Sequence, residues 1–337
     1  MTDNTPSVAV FGTGNWGLTL ADVAARSGAR VSLYCRRKEV YHALLERRQH
    51  PEFLPHLILH RRVIPTMDFE TAAVSSAHWI IVVPSQHLRL VARQLRPWVH
   101  RDLRVLSAVK GLEIGTHLRM SEVLQDEWGD DKDGALGVLS GPNLAFDISQ
   151  GLPAATAVAC SQQAFGEWTE RLGRVNLRLY HQPDRVGVEL GGALKNVLAI
   201  AVGIAHQSGL GDSAKAALMT RGLHEMGRLA VRLGARLTTL AGLSGLGDMV
   251  VTASSSHSRN RWCGEQLGKG LDLDHILHST QMVVEGVPTA YAAQELGQRL
   301  AVPLPITDAV VDIFQGTEVS HAVVKLMTRA FVGESDP

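Results

Sequence analysis

The stretch Val8-Ala9-Val10-Phe11-Gly12-Thr13-Gly14-Asn15-Trp16-Gly17 is a short apolar run followed at once by the spacing G-x-G-x-x-G. A helical pattern carrying Leu20, Ala21 and Ala24 comes next, so the glycines stand where a strand hands over to a helix. In that setting Gly12 makes the tight turn, Gly14 lets a pyrophosphate approach the backbone, and Gly17 lets helix and strand pack closely. The amide groups and positive dipole at the helix start complete an anion site. A glycine-rich turn with no ligand is the plainer reading of the same letters. The strand before and the helix after argue for dinucleotide binding.

Comparable runs follow at Val31–Tyr34, Trp79–Val83, Val105–Val109 and Val138–Ser140, with helical patterns between several of them. This alternation predicts an α/β fold, a parallel doubly wound sheet that runs at Ala155–Ala159 and Leu177–Tyr180 extend. From about Val188 helical periodicity takes over through Phe331, broken by glycines in 209–212, 242–247 and 268–270. The predicted boundary lies near Pro183–Gly187, giving a Rossmann-like domain over residues 1–186 and an all-helical domain over 187–337. The tail Gly333–Pro337 is expected to fray.

A length of 337 residues suits two domains and a substantial core. Its 33 basic and 33 acidic residues cancel, which leaves no electrostatic footprint for nucleic acid or a membrane surface. Cys35, Cys160 and Cys263 are far apart, so neither a disulfide framework nor a zinc site is expected, and reduced thiols point to the cytoplasm. The N-terminus lacks a basic stretch followed by an apolar run, and stretches such as Leu198–Ala205 are too short to span a bilayer, so no membrane insertion is expected. The histidines show no H-x-x-x-H spacing, and no metal is expected.

An NAD site needs a carboxylate at the end of the second strand for the adenosine ribose. The sequence there is Tyr34-Cys35-Arg36-Arg37, with no acid until Glu39. Arg36 and Arg37 suit a 2′-phosphate, so NADPH is the preferred cofactor, with NADH admitted; a solvated basic turn is the alternative. The carboxyl edge of such a sheet holds ligands, and that rim carries Pro84-Ser85-Gln86, Lys110-Gly111 and Gly141-Pro142-Asn143. Lys110 reads equally as a ligand contact or as a solvated strand end.

In the second half, Gly191-Gly192-Ala193-Leu194-Lys195-Asn196 sets one lysine among small side chains, with Gly191, Lys195, Ala199 and Gly203 on one helical line. Either something small and polar approaches that groove, or the glycines serve a close helix crossing and Lys195 snorkels to water.

Taken together, these motifs resemble the bacterial-type glycerol-3-phosphate dehydrogenases that use NAD(P). The resemblance lies in GTGNWG at 12–17, VPSQ at 83–86, KG at 110, LSGP at 139–142, GVELGGALKNVLAIAVGI at 187–204, GLSGLGDMVVTASSSHSRN at 242–260, VVEGVPTA at 283–290 and PI at 305. It implies reversible hydride transfer between NADPH or NADH and dihydroxyacetone phosphate, giving sn-glycerol 3-phosphate for phospholipid synthesis. The family's catalytic lysine and aspartate match Lys195 and Asp248. Its substrate contacts match Lys110, Ser258, Arg259 and Asn260, and its cofactor contacts match Asn15, Trp16, Arg36, Ala145, Arg259, Val283 and Glu285. A homodimer is expected from the resemblance alone. Asn143 replaces a usual serine, Ser213 a usual asparagine whose loop could work through Asp212, and Thr13 and Asn15 replace commoner alanine and serine.

Ketone reduction leaves charge growing on oxygen, so a proton donor must stand beside it. Lys195 can be cation and acid together if burial or a neighbouring cation such as Lys110 lowers its pKa. Asp248 would orient and relay, or else cap a helix after Gly247. Ser258-Arg259-Asn260 offers a hydroxyl, a guanidinium fork and an amide for a phosphate, or else a polar cap. Two other readings compete: a reductase of a hydroxy or sugar acid, and a noncatalytic nucleotide sensor. The Ser-Arg-Asn run and the joint presence of Lys195, Asp248 and Arg259 weigh against them.

Overall fold

The computed structural model describes residues 5–129, 135–329 and 333. Strand and helix alternate through β1 (Ser7–Phe11), α1 (Asn15–Arg26), β2 (Arg30–Tyr34), α2 (Lys38–Arg47), β3 (Val63–Thr66), α3 (Phe69–Val74), β4 (His78–Ile81), α4 (Leu88–Leu95), β5 (Arg104–Ser107), α5 (Met120–Trp128) and β6 (Leu136–Ser140). Next come α6 (Ala145–Ser149), β7 (Ala154–Ala159), α7 (Gln162–Leu172) and β8 (Leu177–His181). The strands form one sheet in the order β3-β2-β1-β4-β5-β6-β7-β8. Val8 and Val10 belong to the core on one face and Ala9 and Phe11 to the core on the other. Both faces are covered, which is why the central strands are apolar throughout.

Two features depart from the sequence reading. Strand β3 was not expected, because Pro65 lies inside it; it pairs only with β2 at the sheet edge, where a missing N–H is tolerated. The β6–β7 pair is antiparallel, although the other neighbours run parallel. The helix between them, α6, has five residues and is about 7.5 Å long, too short to carry the chain back along a strand, so β7 returns from the same edge.

The second half is helical: α8 (Arg185–Gln207), α9 (Gly211–Arg232), α10 (Leu237–Leu240), α11 (Asp248–Ser254), α12 (Arg259–Gly268), α13 (Leu273–His278), α14 (Gly286–Leu300), α15 (Pro305–Phe314) and α16 (Val319–Met327). Helix α8 begins at Arg185, so the expected division at 186/187 cuts its first turn. Phe331, and the expected frayed tail apart from Gly333, lie outside the described residues.

Helix α8 is the core of this half. Its most apolar window has a mean hydropathy of 1.6, long and apolar enough by length and composition to cross a membrane, yet that window is wholly buried inside the protein. The sequence reading counted the apolar stretch only as Leu198–Ala205, whereas the apolar helix extends N-terminally past Lys195, whose charge is matched internally. The glycines of α8 serve the helix crossing. A Cβ on Gly203 would lie 2.2 Å from the Arg261 carbonyl oxygen, and one on Gly264 2.1 Å from that of Ile200, so α8 and α12 touch backbone to backbone. Gly191 meets the Ser244 carbonyl oxygen in the same way at 2.7 Å. Lys195, between them, does not snorkel: it is 6% exposed.

Gly203→Ala is expected to lower the thermal unfolding midpoint, equivalent to about 1–3 kcal/mol of overpacking, because the α12 backbone must move. Gly166→Ala, on α7 with open space around it, should leave the midpoint unchanged or raise it. Equal midpoints for the two variants would contradict the backbone contact.

Candidate active site

Strand order reverses between β1 and β4, and the loops after β1, β4, β5 and β6 end at the carboxyl edge beside that crevice. The three fingerprint glycines have three different surroundings. Gly12 has φ +135°, and a Cβ there would sit 2.2 Å from the Val82 carbonyl oxygen. A Cβ on Gly17 would sit 2.0 Å from the Gly12 carbonyl oxygen, whereas Gly14 has nothing within 4 Å. The first two are fixed by the turn and the packing, and the third leaves an open cradle at the start of α1. Beside it, Asn15 Oδ1 and Trp16 Nε1 are buried without a protein partner among the described residues. An acceptor, a donor, an open backbone and a helix N-terminus together fit a dinucleotide. Ala145 stands next to this turn, its carbonyl accepting from Thr19 Oγ1 of α1 at 3.3 Å.

Arg36 and Arg37 are not equivalent. Arg37 donates twice to Glu52, at 2.9 and 2.7 Å, which closes its guanidinium fork. Arg36 is exposed at the end of β2 with no side-chain partner among the described residues.

The catalytic candidates converge. Asp248 lies at the start of α11, directly after a π-helical turn over Leu243–Gly247, and is 1% exposed. Its Oδ1 meets Lys195 Nζ at 2.9 Å and accepts from Thr252 Oγ1 at 3.2 Å. Its Oδ2 pairs with Lys110 Nζ and takes Ser140 Oγ at 3.5 Å. Asp248 therefore joins two lysines and does not cap the helix. Lys195 also donates to Thr252 Oγ1 at 2.6 Å, and Lys110 to the Gly141 carbonyl at 3.3 Å.

Burial pulls the Lys195 ammonium down to about 8; Asp248 opposes the shift and Lys110 adds to it. For Asp248 burial acts upward, but the two lysines outweigh it and hold the carboxylate below its ordinary value. One anion between two cations leaves a net positive charge in a site where water is scarce.

Ser258 caps α12, accepting from the Arg261 N–H at 3.2 Å, and Arg259 follows as the first helical residue. Arg259 has no hydrogen bond or ion pair among the described residues, and burial alone lowers its guanidinium to about 10, so it stays charged near neutral pH. Asn260 is more committed than the sequence suggested. Its Nδ2 donates to Asn196 Oδ1 at 2.9 Å and its Oδ1 accepts from the Gly286 N–H at 2.9 Å, leaving one amide hydrogen. The Asn196–Asn260 pair ties α8, which carries Lys195, to α12, which carries Arg259. Asn143 Nδ2 is bonded to the Ala155 carbonyl at 2.9 Å, while its Oδ1 is buried and unpartnered among the described residues.

Glu285 Oε1 accepts from the Ser85 N–H at 2.9 Å and its Oε2 from the Ser85 hydroxyl; burial pushes its carboxyl up. Val283, exposed, lines an apolar depression with Leu277, Met282 and Pro288. Asp212, offered by the sequence as a stand-in for the usual asparagine, pairs with Lys215 and points to solvent. Among the described residues no group of three or more His, Cys, Asp or Glu could hold a metal ion. Sequence reasoning missed Thr252, Ser140 and Asn196. Thr252 was within reach, since it follows Asp248 by four residues on a helix and so shares its face.

The chain matches the family profile of the NAD-dependent glycerol-3-phosphate dehydrogenase N-terminus over residues 7–166 and that of its C-terminus over residues 184–325. It is 42% identical over 325 residues to a glycerol-3-phosphate dehydrogenase [NAD(P)+] of Moorella thermoacetica, covering 96% of each chain. The one from Thermobifida fusca is 42% identical over 326 residues, covering 96% of this chain and 97% of that one. The crystal structure of glycerol-3-phosphate dehydrogenase from Coxiella burnetii superposes with a TM-score of 0.91 at 34% identity, covering 96% of this chain and 99% of that one. An open glycine turn on a Rossmann-like sheet, a lysine pair on one buried aspartate and this likeness over nearly the whole length lead to one conclusion: the chain belongs to the NAD(P)-dependent glycerol-3-phosphate dehydrogenases and is an oxidoreductase.

Proposed function

We propose that the chain reversibly reduces dihydroxyacetone phosphate to sn-glycerol 3-phosphate, with NADPH preferred over NADH, and supplies phospholipid synthesis in the cytoplasm. The observation that carries this reading is Lys195, buried on one oxygen of Asp248 with Lys110 on the other, in the helix that the Asn196–Asn260 pair ties to α12, whose first residue is Arg259. Residues 1–186 hold the dinucleotide and lend Lys110 to the centre, and residues 187–337 carry Lys195, Asp248 and the phosphate groups.

On this reading Gly12, Gly14 and Gly17 shape the pyrophosphate turn, Asn15 and Trp16 supply the unpartnered polar atoms, Ala145 borders that turn, and Val283 and Glu285 contact the cofactor from the helical side. When bound, the nicotinamide cofactor supplies or accepts the hydride. Lys195 gives its proton to the ketone oxygen as negative charge grows there, and recovers it in the reverse direction. Lys110 keeps that proton transferable by opposing the charge on Lys195. Asp248 and Thr252 fix the direction of the lysine Nζ. Arg259, the Ser258 hydroxyl, the remaining Asn260 amide hydrogen and the amides at the start of α12 bind the phosphate, whose binding energy holds the ketone in place. Gly141 and Asn143 form the opposite wall.

Arg259→Ala should weaken reduction of dihydroxyacetone phosphate far more than that of unphosphorylated dihydroxyacetone. With saturating NADPH the expected loss in kcat/KM is roughly tenfold to a hundredfold for the phosphorylated ketone, the worth of a charge-assisted contact. Equal proportional losses would remove the phosphate assignment, and no turnover of dihydroxyacetone phosphate by the parent protein would remove the function itself.

Arg36→Asp should move the ratio of kcat/KM for NADPH over NADH toward NADH, since it deletes the free cation at the end of β2 and offers a carboxylate. Arg37→Asp should move it less, because Glu52 already occupies that side chain. The reverse ranking would contradict the assignment.

A further inference from the structure

Beyond the groups that face the substrate, one polar contact closes a circuit around them. Lys195 meets Asp248, and Asp248 meets Lys110. The next residue, Gly111, abuts Ser85: a Cβ on Gly111 would come within 2.6 Å of Ser85 Cβ and 2.7 Å of its Oγ. Ser85 is gripped at N–H and hydroxyl by the Glu285 carboxylate. Gly286, next in sequence, donates to Asn260, Asn260 donates to Asn196, and Asn196 adjoins Lys195. The circuit thus returns to its start. It crosses between the sheet half and the helical half at Asp248–Lys110 and again at Ser85–Glu285.

Among the described residues no cation acts on the second crossing, where burial and the two Ser85 hydrogen bonds set the Glu285 carboxyl. Ser85 is 2% exposed; its N–H and hydroxyl both donate to the Glu285 carboxylate, and its hydroxyl accepts from Gln86 Nε2 at 3.1 Å. Nearby, Gln86 secures the same corner, donating to the Leu112 carbonyl at 2.8 Å and accepting from the Ile114 N–H at 3.1 Å. The segment 110–114 is therefore braced at both ends of Lys110's short loop. A lysine side chain has four rotatable bonds, so holding its Nζ on one carboxylate oxygen demands a fixed backbone beneath it.

We propose that Ser85 is a positioning residue for the dehydrogenase reaction: clasped by Glu285 and packed on Gly111, it fixes Lys110 against Asp248 and keeps the Lys195 centre assembled across the two halves. The proposal rests on the roles given above to Lys195 and Lys110. It extends to Gly111, where only the absence of a side chain lets the clasp close.

Ser85→Ala deletes the hydroxyl and keeps Cβ and N–H. Its kcat for reduction of dihydroxyacetone phosphate should fall roughly tenfold or more, the worth of a hydrogen bond to a charged group, while the NADPH dissociation constant changes much less. The charges acting on Lys195 are Asp248 on α11 and Lys110 after β5. If Lys110 loosens, its depressing effect weakens, so the alkaline limb of kcat/KM should move to higher pH. Lys110→Met should move the same limb the same way. Gly111→Ala should be costly in the parent and much less so in a Ser85→Gly background, a non-additive pair. An unmoved limb and unchanged kcat in Ser85→Ala, with Lys110→Met moving both, would overturn the proposal and leave the catalytic reading intact; so would additive effects of the Gly111 and Ser85 changes. A Lys110→Met limb that does not move would overturn both, since the clasp would then have nothing to position.

Discussion

Asp248 holds two lysines out of water, and the structure is arranged around that arrangement. Stripping an ammonium and a carboxylate of solvent costs several kcal/mol each, and their attraction offsets this only with close geometry and satisfied lone pairs. Here Asp248 has both: Lys195 and Thr252 on one oxygen, Lys110 and Ser140 on the other. Among the described residues Asp248 is the anion that acts on Lys195, so the surplus positive charge is left for a ligand to meet. Such a site is favourable to a phosphate or to a developing alkoxide, and its burial and second lysine lower the affinity of Lys195 for its own proton.

Much of the scaffold exists to bring these atoms together. The backbone contact of α8 with α12 sets the Arg259 turn against the Lys195 helix, and it depends on Gly203 and Gly264. The π-helical turn before α11 delivers Asp248 facing inward; a regular turn would rotate it. The sheet contributes Lys110 from the end of β5 and Ser140 from the end of β6, so neither half of the chain holds the centre alone. The helix start at Gly14–Asn15 stands on the same carboxyl edge, where ligands of such sheets bind.

The fingerprint was legible because three glycines at fixed spacing answer three local steric demands, and the structure returns those same demands at Gly12, Gly14 and Gly17. The lysine among glycines was legible as unusual, but its meaning was divided wrongly: the glycines do serve a helix crossing, and the lysine is still buried. Only the position of Asp248, 53 residues on in sequence, resolves that, and such a distance carries no periodic signal. Strand β3 was hidden by Pro65, and the reversed β7 by the brevity of α6. The second guanidinium at the end of β2 looked the equal of the first until Glu52, from a loop that no pattern predicts, was seen to occupy it. Asn260 read as a ligand because its neighbours do, whereas its side chain chiefly ties α8, α12 and α14 together.

The central claim is that Lys195 passes the proton, with a value lowered to about 8 by burial against the pull of Asp248. The most direct test is the pH dependence of kcat/KM in both directions, for the parent protein and Asp248→Asn. Reduction needs the protonated lysine and should decline as pH rises through about 8, while oxidation of glycerol 3-phosphate needs the neutral amine and should rise through the same value. Asp248→Asn removes the charge that supports the ammonium, so both breaks should move to lower pH. Profiles flat across this range, or breaks that stay fixed when Asp248 is neutralised, would contradict the account.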